Sequence, residues 1–206
     1  MTPQAALDRG LGELALALPA GARNGLLDYL ALLAKWNRTY NLTAIRDPLA
    51  MVTQHLLDSL SVLPHLSLPE GARLADAGSG AGLPGIPLAI ACPSWQIVLA
   101  ESSQKKAAFL RQAAIELRLA NVDVHEGRVE TWRPQPLFDL VISRAFAALE
   151  DFIGACRHLV GRHGALAAMK GAEPEDLRAG CSLIPLRVPF LDAQRHLVLC
   201  PASSLS

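Results

Sequence analysis

The chain has 206 residues, 51% hydrophobic and 18% charged, enough for one α/β domain with an added lobe and no need of metals or disulfides for stability. Its 19 basic and 19 acidic side chains cancel, which removes any overall attraction to a polyanion and leaves nucleic-acid binding to a local patch. No apolar stretch is long enough and free enough of proline and charge to cross a bilayer, and Asp8, Arg9 and Glu13 among the first 20 residues suit an amphipathic helix better than a signal peptide, so a cytoplasmic protein is expected.

From Gln4 to about His65 the apolar residues recur at helical spacing, as in Leu26, Leu27, Leu30, Leu33 and Trp36, or Leu49, Val52, Leu56, Leu57 and Leu60. This predicts a helical lobe, residues 1–68, with breaks at Pro19-Ala20-Gly21, at Asn41-Leu42-Thr43 and at Asp47-Pro48. There Asp47 is placed to cap a helix whose first turn holds Pro48. Pro64 to Gly71 reads as the junction to a second unit, residues 69–206.

Beyond the junction, short apolar runs alternate with helical segments. Strands are predicted at Arg73–Ala77, Gln96–Ala100, Val122–His125, Asp139–Ser143 and Ala165–Met169. Helices are predicted at Pro84–Ala91, Gln104–Leu119 and Leu149–Val160, with a short turn at Glu130–Trp132. Such alternation specifies a parallel sheet with crossover helices. After Gly171, two short runs, Leu183–Val188 and His196–Cys200, predict a closing antiparallel pair. Cys92, Cys156, Cys181 and Cys200 form no C-x-x-C pair and are expected to be reduced, mostly buried thiols. Cys156, His158 and His163 lie close in sequence, but no fourth ligand has suitable spacing, so no metal site is expected.

The first predicted strand runs into Asp76-Ala77-Gly78-Ser79-Gly80-Ala81-Gly82. A nucleoside cofactor lies against main chain at such a strand end, and Gly78, Gly80 and Gly82 permit close approach and positive φ. Gly80 to Gly85 also fits the dinucleotide fingerprint G-x-G-x-x-G. Glu101, 25 positions after Asp76 at the end of the second strand, is placed to accept hydrogen bonds from ribose hydroxyls, which identifies a ribose and not a cofactor. Two features favour S-adenosylmethionine. Asp76 suits the donor's ammonium or an ordered glycine turn, whereas a pyrophosphate disfavours a nearby carboxylate, and the closing strand pair suits a methyltransferase sheet. A tight strand-to-helix turn that binds nothing is the plain alternative.

With Asn41-Leu42-Thr43, His55-Leu56-Leu57-Asp58-Ser59-Leu60, Asp76 to Pro87 and Ile142-Ser143-Arg144-Ala145-Phe146, the sequence resembles the glucose-inhibited division protein B family, also called RsmG, through nearly the whole chain. The resemblance implies a class I, Rossmann-like methyltransferase fold with a seven-stranded, mostly parallel sheet and an N-terminal helical extension. It also implies S-adenosylmethionine-dependent methylation of N7 of one guanine in the 530 loop of bacterial 16S ribosomal RNA. Donor contacts are implied at Gly78, Leu83, Val129, Glu130 and Arg144, with Glu101 as ribose acceptor and Asp76, Gly80 and Gly82 completing the loop. Many relatives have Asp-Ser where this chain has Glu101-Ser102, and Lys-Arg where it has Lys105-Lys106; the longer Glu arm still reaches a ribose.

Guanine N7 has an exposed lone pair and no proton to lose, so its methylation needs positioning and no obligatory catalytic residue. Arg128, Arg144 and Lys170, which end predicted strands or open their loops, are the candidates for RNA contacts, each with an ordinary surface charge as the alternative. In the lobe, His55 with Lys35, Arg38 and Arg46 is a candidate second RNA-facing patch, interleaved with Trp36 and Tyr40. The i, i+4 spacing of Trp36 and Tyr40 favours mutual packing, and His55 and Asp58 could simply pair. The expected partner is 16S ribosomal RNA or the 30S subunit, bound by a monomer with no membrane contact. The alternatives are a methyltransferase of this fold acting on a protein or small molecule, and a nucleotide-binding module without chemistry.

Overall fold

The computed structural model describes all residues except 147, 174–176 and 206. Two helices open the chain, α1 (Pro3–Glu13) and α2 (Ala22–Tyr40). The Thr2 hydroxyl accepts from the Ala5 amide to cap the first, and Pro3 occupies its first turn, where a missing N–H costs nothing. Asn41, at φ 50°, ends the second in the left-handed conformation. Asp47 accepts from the Ala50 amide and starts α3 (Pro48–Met51), as the sequence predicts. The helix then widens into a π-helical stretch, Val52–Leu57, before α4 (Asp58–Leu60). A π turn carries an extra residue, so His55 and Asp58 face partners that α-helical spacing does not foretell.

Seven strands follow: β1 (Arg73–Ala77), β2 (Gln96–Glu101), β3 (Val122–Glu126), β4 (Phe138–Ser143), β5 (Val160–Lys170), β6 (Ser182–Pro185) and β7 (His196–Pro201). They form one sheet in the order β3-β2-β1-β4-β5-β7-β6, the first five parallel and β7 antiparallel to both neighbours. Helices α5 (Gly85–Ala91), α6 (Gln104–Glu116) and α7 (Leu149–Cys156) cross between strands. Strand order reverses between β1 and β4, and a crevice at the carboxyl ends on either side of such a switch point is where sheets of this kind bind ligands.

One continuous core unites the lobe with a sheet face. Leu7, Leu26, Leu33, Leu56 and Leu60 pack in the same cluster as Leu74, Ile86, Ile97, Phe109 and Ile142. The opposite face is covered by α7, whose Phe152 and Ile153 lie on Val141, Leu166 and Val198. The lobe is therefore built onto the sheet and can deliver side chains to its carboxyl edge.

Two expectations are corrected here. Cys181 and Cys200 are joined by a disulfide rather than being free thiols, while Cys92 and Cys156 are free. The register explains it: Ser182 faces Leu199, so Cys181 directly opposes Cys200 across the antiparallel pair, with Cα atoms 4.3 Å apart. His55 is 2% exposed, so it is not part of an outward patch with Lys35, Arg38 and Arg46, which are exposed. Trp36 stacks on Tyr40 with centroids 5.1 Å apart and contacts Phe109 at 5.6 Å, which makes the pair chiefly packing. Among the described residues no group of His, Cys, Asp and Glu is arranged to hold a metal, and no helix is long and apolar enough to cross a membrane.

Candidate active site

Asp76 sits at the end of the central strand with no exposed surface. Its Oδ2 accepts from the Ser79 hydroxyl at 2.6 Å and from the Gly85 amide at 2.9 Å, so the carboxylate draws the loop and the start of α5 together. Oδ1 has no partner, and burial raises the Asp76 pKa to about 6 against the two hydrogen bonds. Gly85 is needed here because any Cβ would fall 2.8 Å from Asp76 Oδ2 and against Leu99.

The loop between them is pinned amide by amide. The Gly78 and Ser79 amides donate to the Ala100 carbonyl, those of Gly82 and Leu83 to the Ser79 carbonyl, and that of Gly80 to Glu101 Oε2 at 2.9 Å. Gly78, Gly80 and Gly82 all hold positive φ. Glu101 is 6% exposed and its Oε1 accepts from the Ser103 amide at 2.8 Å, so one oxygen braces the glycine loop and the other the turn into α6, each with a lone pair left for a ribose hydroxyl.

Three cavities lie in a row along this edge. One, about 130 Å³, is lined by Gly78, Ala100, Ser102, Arg128, Val129 and Glu130, with Val129 buried and Glu130 exposed. The next, about 230 Å³, shares Gly78 and continues along Gly80 to Leu83, Lys106, Thr43, His55 and Arg144. The third, about 240 Å³, shares Arg144 and is lined by Gln54, Asp58, Lys170, Arg195 and His196. Arg128 thus opens on the first cavity, whereas Arg144 and Lys170 border the third.

Arg144 is held by the lobe: its guanidinium donates to Asp58 Oδ2 at 2.7 Å and to the Gln54 carbonyl at 2.9 Å. Arg195, from the β6–β7 connection, donates to Asp58 Oδ1 at 3.0 Å. One buried carboxylate therefore spaces two guanidinium groups at the mouth of a cavity. Lys170 Nζ donates to the Phe146 carbonyl at 2.7 Å, and burial lowers its pKa. His55 Nε2 contacts the Thr43 hydroxyl at 3.0 Å, and Thr43 is itself fixed by the Asn37 side chain, which bonds both its amide and its carbonyl. Burial first, then the Arg144 charge, lowers the His55 pKa to about 4, so the ring is neutral at pH 7. The sequence gives Asp58 only as a possible partner of His55 and gives no signal for Arg195 or for Tyr29, whose hydroxyl donates to the Ala81 carbonyl at 2.7 Å.

Residues 22–197 match the family described as rRNA small subunit methyltransferase G, GidB. The chain belongs to this family. It is 53% identical to the ribosomal RNA small subunit methyltransferase G of Burkholderia thailandensis, over 96% of the chain and 90% of the relative. The protein of the same name from Methylobacillus flagellatus is 52% identical over 97% and 98%. Among solved structures, a SAM-dependent methyltransferase from Aquifex aeolicus superimposes with a TM-score of 0.56 at 17% identity, covering 76% of this chain and 94% of that one. The tRNA (m1A58) methyltransferase TrmI from the same organism gives 0.55 at 12% identity, covering 70% and 68%. These structures share the Rossmann-like methyltransferase fold, and GidB family membership rests on the sequence matches.

Proposed function

We propose that this GidB-family enzyme uses S-adenosylmethionine to methylate N7 of a guanine in the 530 loop of 16S ribosomal RNA. The observation that carries the reading is that the three cavities share walls, Gly78 between the first and second and Arg144 between the second and third, which sets the glycine loop beside a cavity rimmed by cations. A nucleoside is assigned to the first two cavities: Gly78 and Gly80 bring half-buried, bare main chain to their walls, Val129 and Glu130 line the first, and Glu101, bonded to the Gly80 amide, retains acceptor capacity beside them. When bound there, S-adenosylmethionine supplies an electrophilic methyl group on a sulfonium.

The chain's own residues then hold and orient. Guanine N7 attacks with a lone pair that is free at neutral pH, so no side chain has to remove a proton first. His55, neutral and hydrogen-bonded to Thr43, and Asp76, committed to the loop, have structural tasks consistent with this. Arg144, Arg195 and Lys170 supply donors and positive charge for RNA phosphate or base edges next to the acceptor position. The rate then comes from alignment of two bound groups, an effect worth roughly 7–11 kcal/mol when orientation is complete. The proposal extends to a monomer working in the cytoplasm on 16S RNA or the 30S subunit.

The decisive experiment compares 16S RNA from cells with and without the gene by mass spectrometry of the 530-loop fragment. Loss of one N7 methyl, restored by the gene in trans, is expected. An unchanged fragment refutes the proposal. Labelled-methyl transfer to naked 16S RNA and to 30S particles separates the two substrate forms.

A further inference from the structure

The glycine loop has an unequal hydrogen-bond inventory. From Gly78 to Ile86 every main-chain amide donates within the protein except that of Ala81, Pro84 having none. Ala81 is 6% exposed and lines the middle cavity, together with Lys106 and Arg144. An N–H on a nearly buried residue with no acceptor in the protein is left for water or a bound group in the cavity to satisfy. The surrounding cations say what that is: an anionic oxygen.

Ala81 sits between Gly80 at φ 60° and Gly82 at φ 92°, two residues with no side chain to hold the chain in place. Its carbonyl accepts from the Tyr29 hydroxyl at 2.7 Å. Tyr29 belongs to α2 in the lobe, has no exposed surface, and is separated from Ala81 by 52 positions. Burial raises its pKa well above the ordinary phenol value, so the hydroxyl keeps its proton and remains a donor. Without that bond the buried Ala81 carbonyl would lose its partner, and the Ala81–Gly82 peptide would be held only through the Gly82 amide on the Ser79 carbonyl, so the Ala81 amide would be aimed less closely.

We infer that Tyr29 is a positioning residue for the methyl donor: through the Ala81 carbonyl it aims the one uncommitted loop amide at the carboxylate of bound S-adenosylmethionine. The inference rests on the proposed donor site, and it gives the helical extension a direct part in cofactor binding. Arg144 and Lys106 add charge to the walls of the same cavity.

The test is calorimetry on Tyr29→Phe, which removes one oxygen atom and keeps the ring. The variant should bind S-adenosylmethionine about tenfold more weakly, the size of one charge-assisted hydrogen bond. Its KM for the donor should rise in parallel while kcat at saturation and KM for RNA stay put. Decarboxylated S-adenosylmethionine should bind wild type and variant alike, and wild type should prefer the intact donor to it. Leu7→Ala, a core change in α1 that also lowers the melting temperature, should leave donor affinity unchanged. Equal weakening of both ligands in Tyr29→Phe, unchanged binding of the intact donor, or loss of affinity in Leu7→Ala would each overturn the Tyr29 role. Wild type that prefers neither ligand would do so even if the variant fails to fold. Failure of wild type to bind either ligand would overturn the donor site itself.

Discussion

Asp58 and Arg144, 86 positions apart, meet at 2.7 Å where the helical lobe touches the end of β4. The carboxylate is 3% exposed and the guanidinium 28%, so the acid belongs to the interior and the base to the cavity wall. Arg195 completes the arrangement from the other side. Two cations that would otherwise repel and splay are thereby kept side by side, facing the space where RNA is proposed to enter.

Removing the central charge should disable this arrangement more than it unfolds the chain. Asp58→Asn keeps the volume and loses both ion pairs. Because the two arginines are partly solvated, we expect a loss of about 2–3 kcal/mol, below the 3–5 typical of breaking a fully buried pair. Methyl transfer should fall at least tenfold, and donor affinity should fall by less, since Arg144 also borders the middle cavity. Urea unfolding and labelled-methyl transfer measure the two quantities; full activity in Asp58→Asn would show that the arginines need no organising anion.

Gly78 offers the sharpest test of the donor site. It lies at φ 70°, and a Cβ there would fall 3.0 Å from the Ala145 Cβ, between the first two cavities. Gly78→Val adds bulk and forces a β-branched residue into left-handed backbone, at a cost of about 1–3 kcal/mol. The variant should stay folded in urea titrations yet show no heat of donor binding in calorimetry. Normal affinity would move the donor elsewhere.

The strands were legible because apolar runs bounded by turn residues survive any tertiary context, and the Arg73–Ala77 strand appears with the ends the sequence predicts. Strand β5 begins five residues earlier than expected, at Val160, since Gly161-Arg162-His163-Gly164 breaks the apolar run. Gly164 belongs there all the same: a Cβ would sit 2.7 Å from the Asp139 carbonyl oxygen, where the register with β4 shifts. That the glycine loop and Glu101 meet could be read from their spacing, but the same glycines also fit a dinucleotide, so the ligand could not. Tyr29, Asp58 and Arg195 could not, because their partners lie 52, 86 and 137 positions away and nothing local marks them. The pairing of His55 with Asp58 fails for a related reason, the π turn having sent each toward a different neighbour.

Two buried groups give the site opposite responses to acid. His55, lowered from 6.5 to about 4, favours the fold when neutral, so its contribution is complete above pH 6.5 and is lost as pH falls toward 4. Asp76, raised from 3.8 to about 6, favours the fold when protonated, so its contribution is complete below pH 3.8 and is lost as pH rises to 6. Each is worth about 3 kcal/mol, and in wild type the two trends offset one another across that window. Asp76→Asn should therefore make stability fall more steeply on acidification, and His55→Asn should make it fall on raising the pH from 4 to 6. Urea midpoints at half-unit pH steps check both; parallel profiles for all three proteins would contradict the assignments.

The disulfide makes a prediction that separates covalent linkage from mere proximity. Cys181 and Cys200 close a loop with a sequence separation of 19, and a link of that size stabilises by about 3 kcal/mol, chiefly by restricting the unfolded chain. It ties β6 to β7, the hairpin whose connection delivers Arg195 to Asp58. Alkylation under denaturing, non-reducing conditions should label two cysteines per chain, Cys92 and Cys156, and all four after reduction. Reductant should lower the melting temperature of wild type and leave that of Cys181→Ser unchanged, with methyl transfer falling in parallel as the hairpin loosens its hold on Arg195. Four labelled cysteines without reductant would show instead that the opposed thiols pack across the strands unbonded.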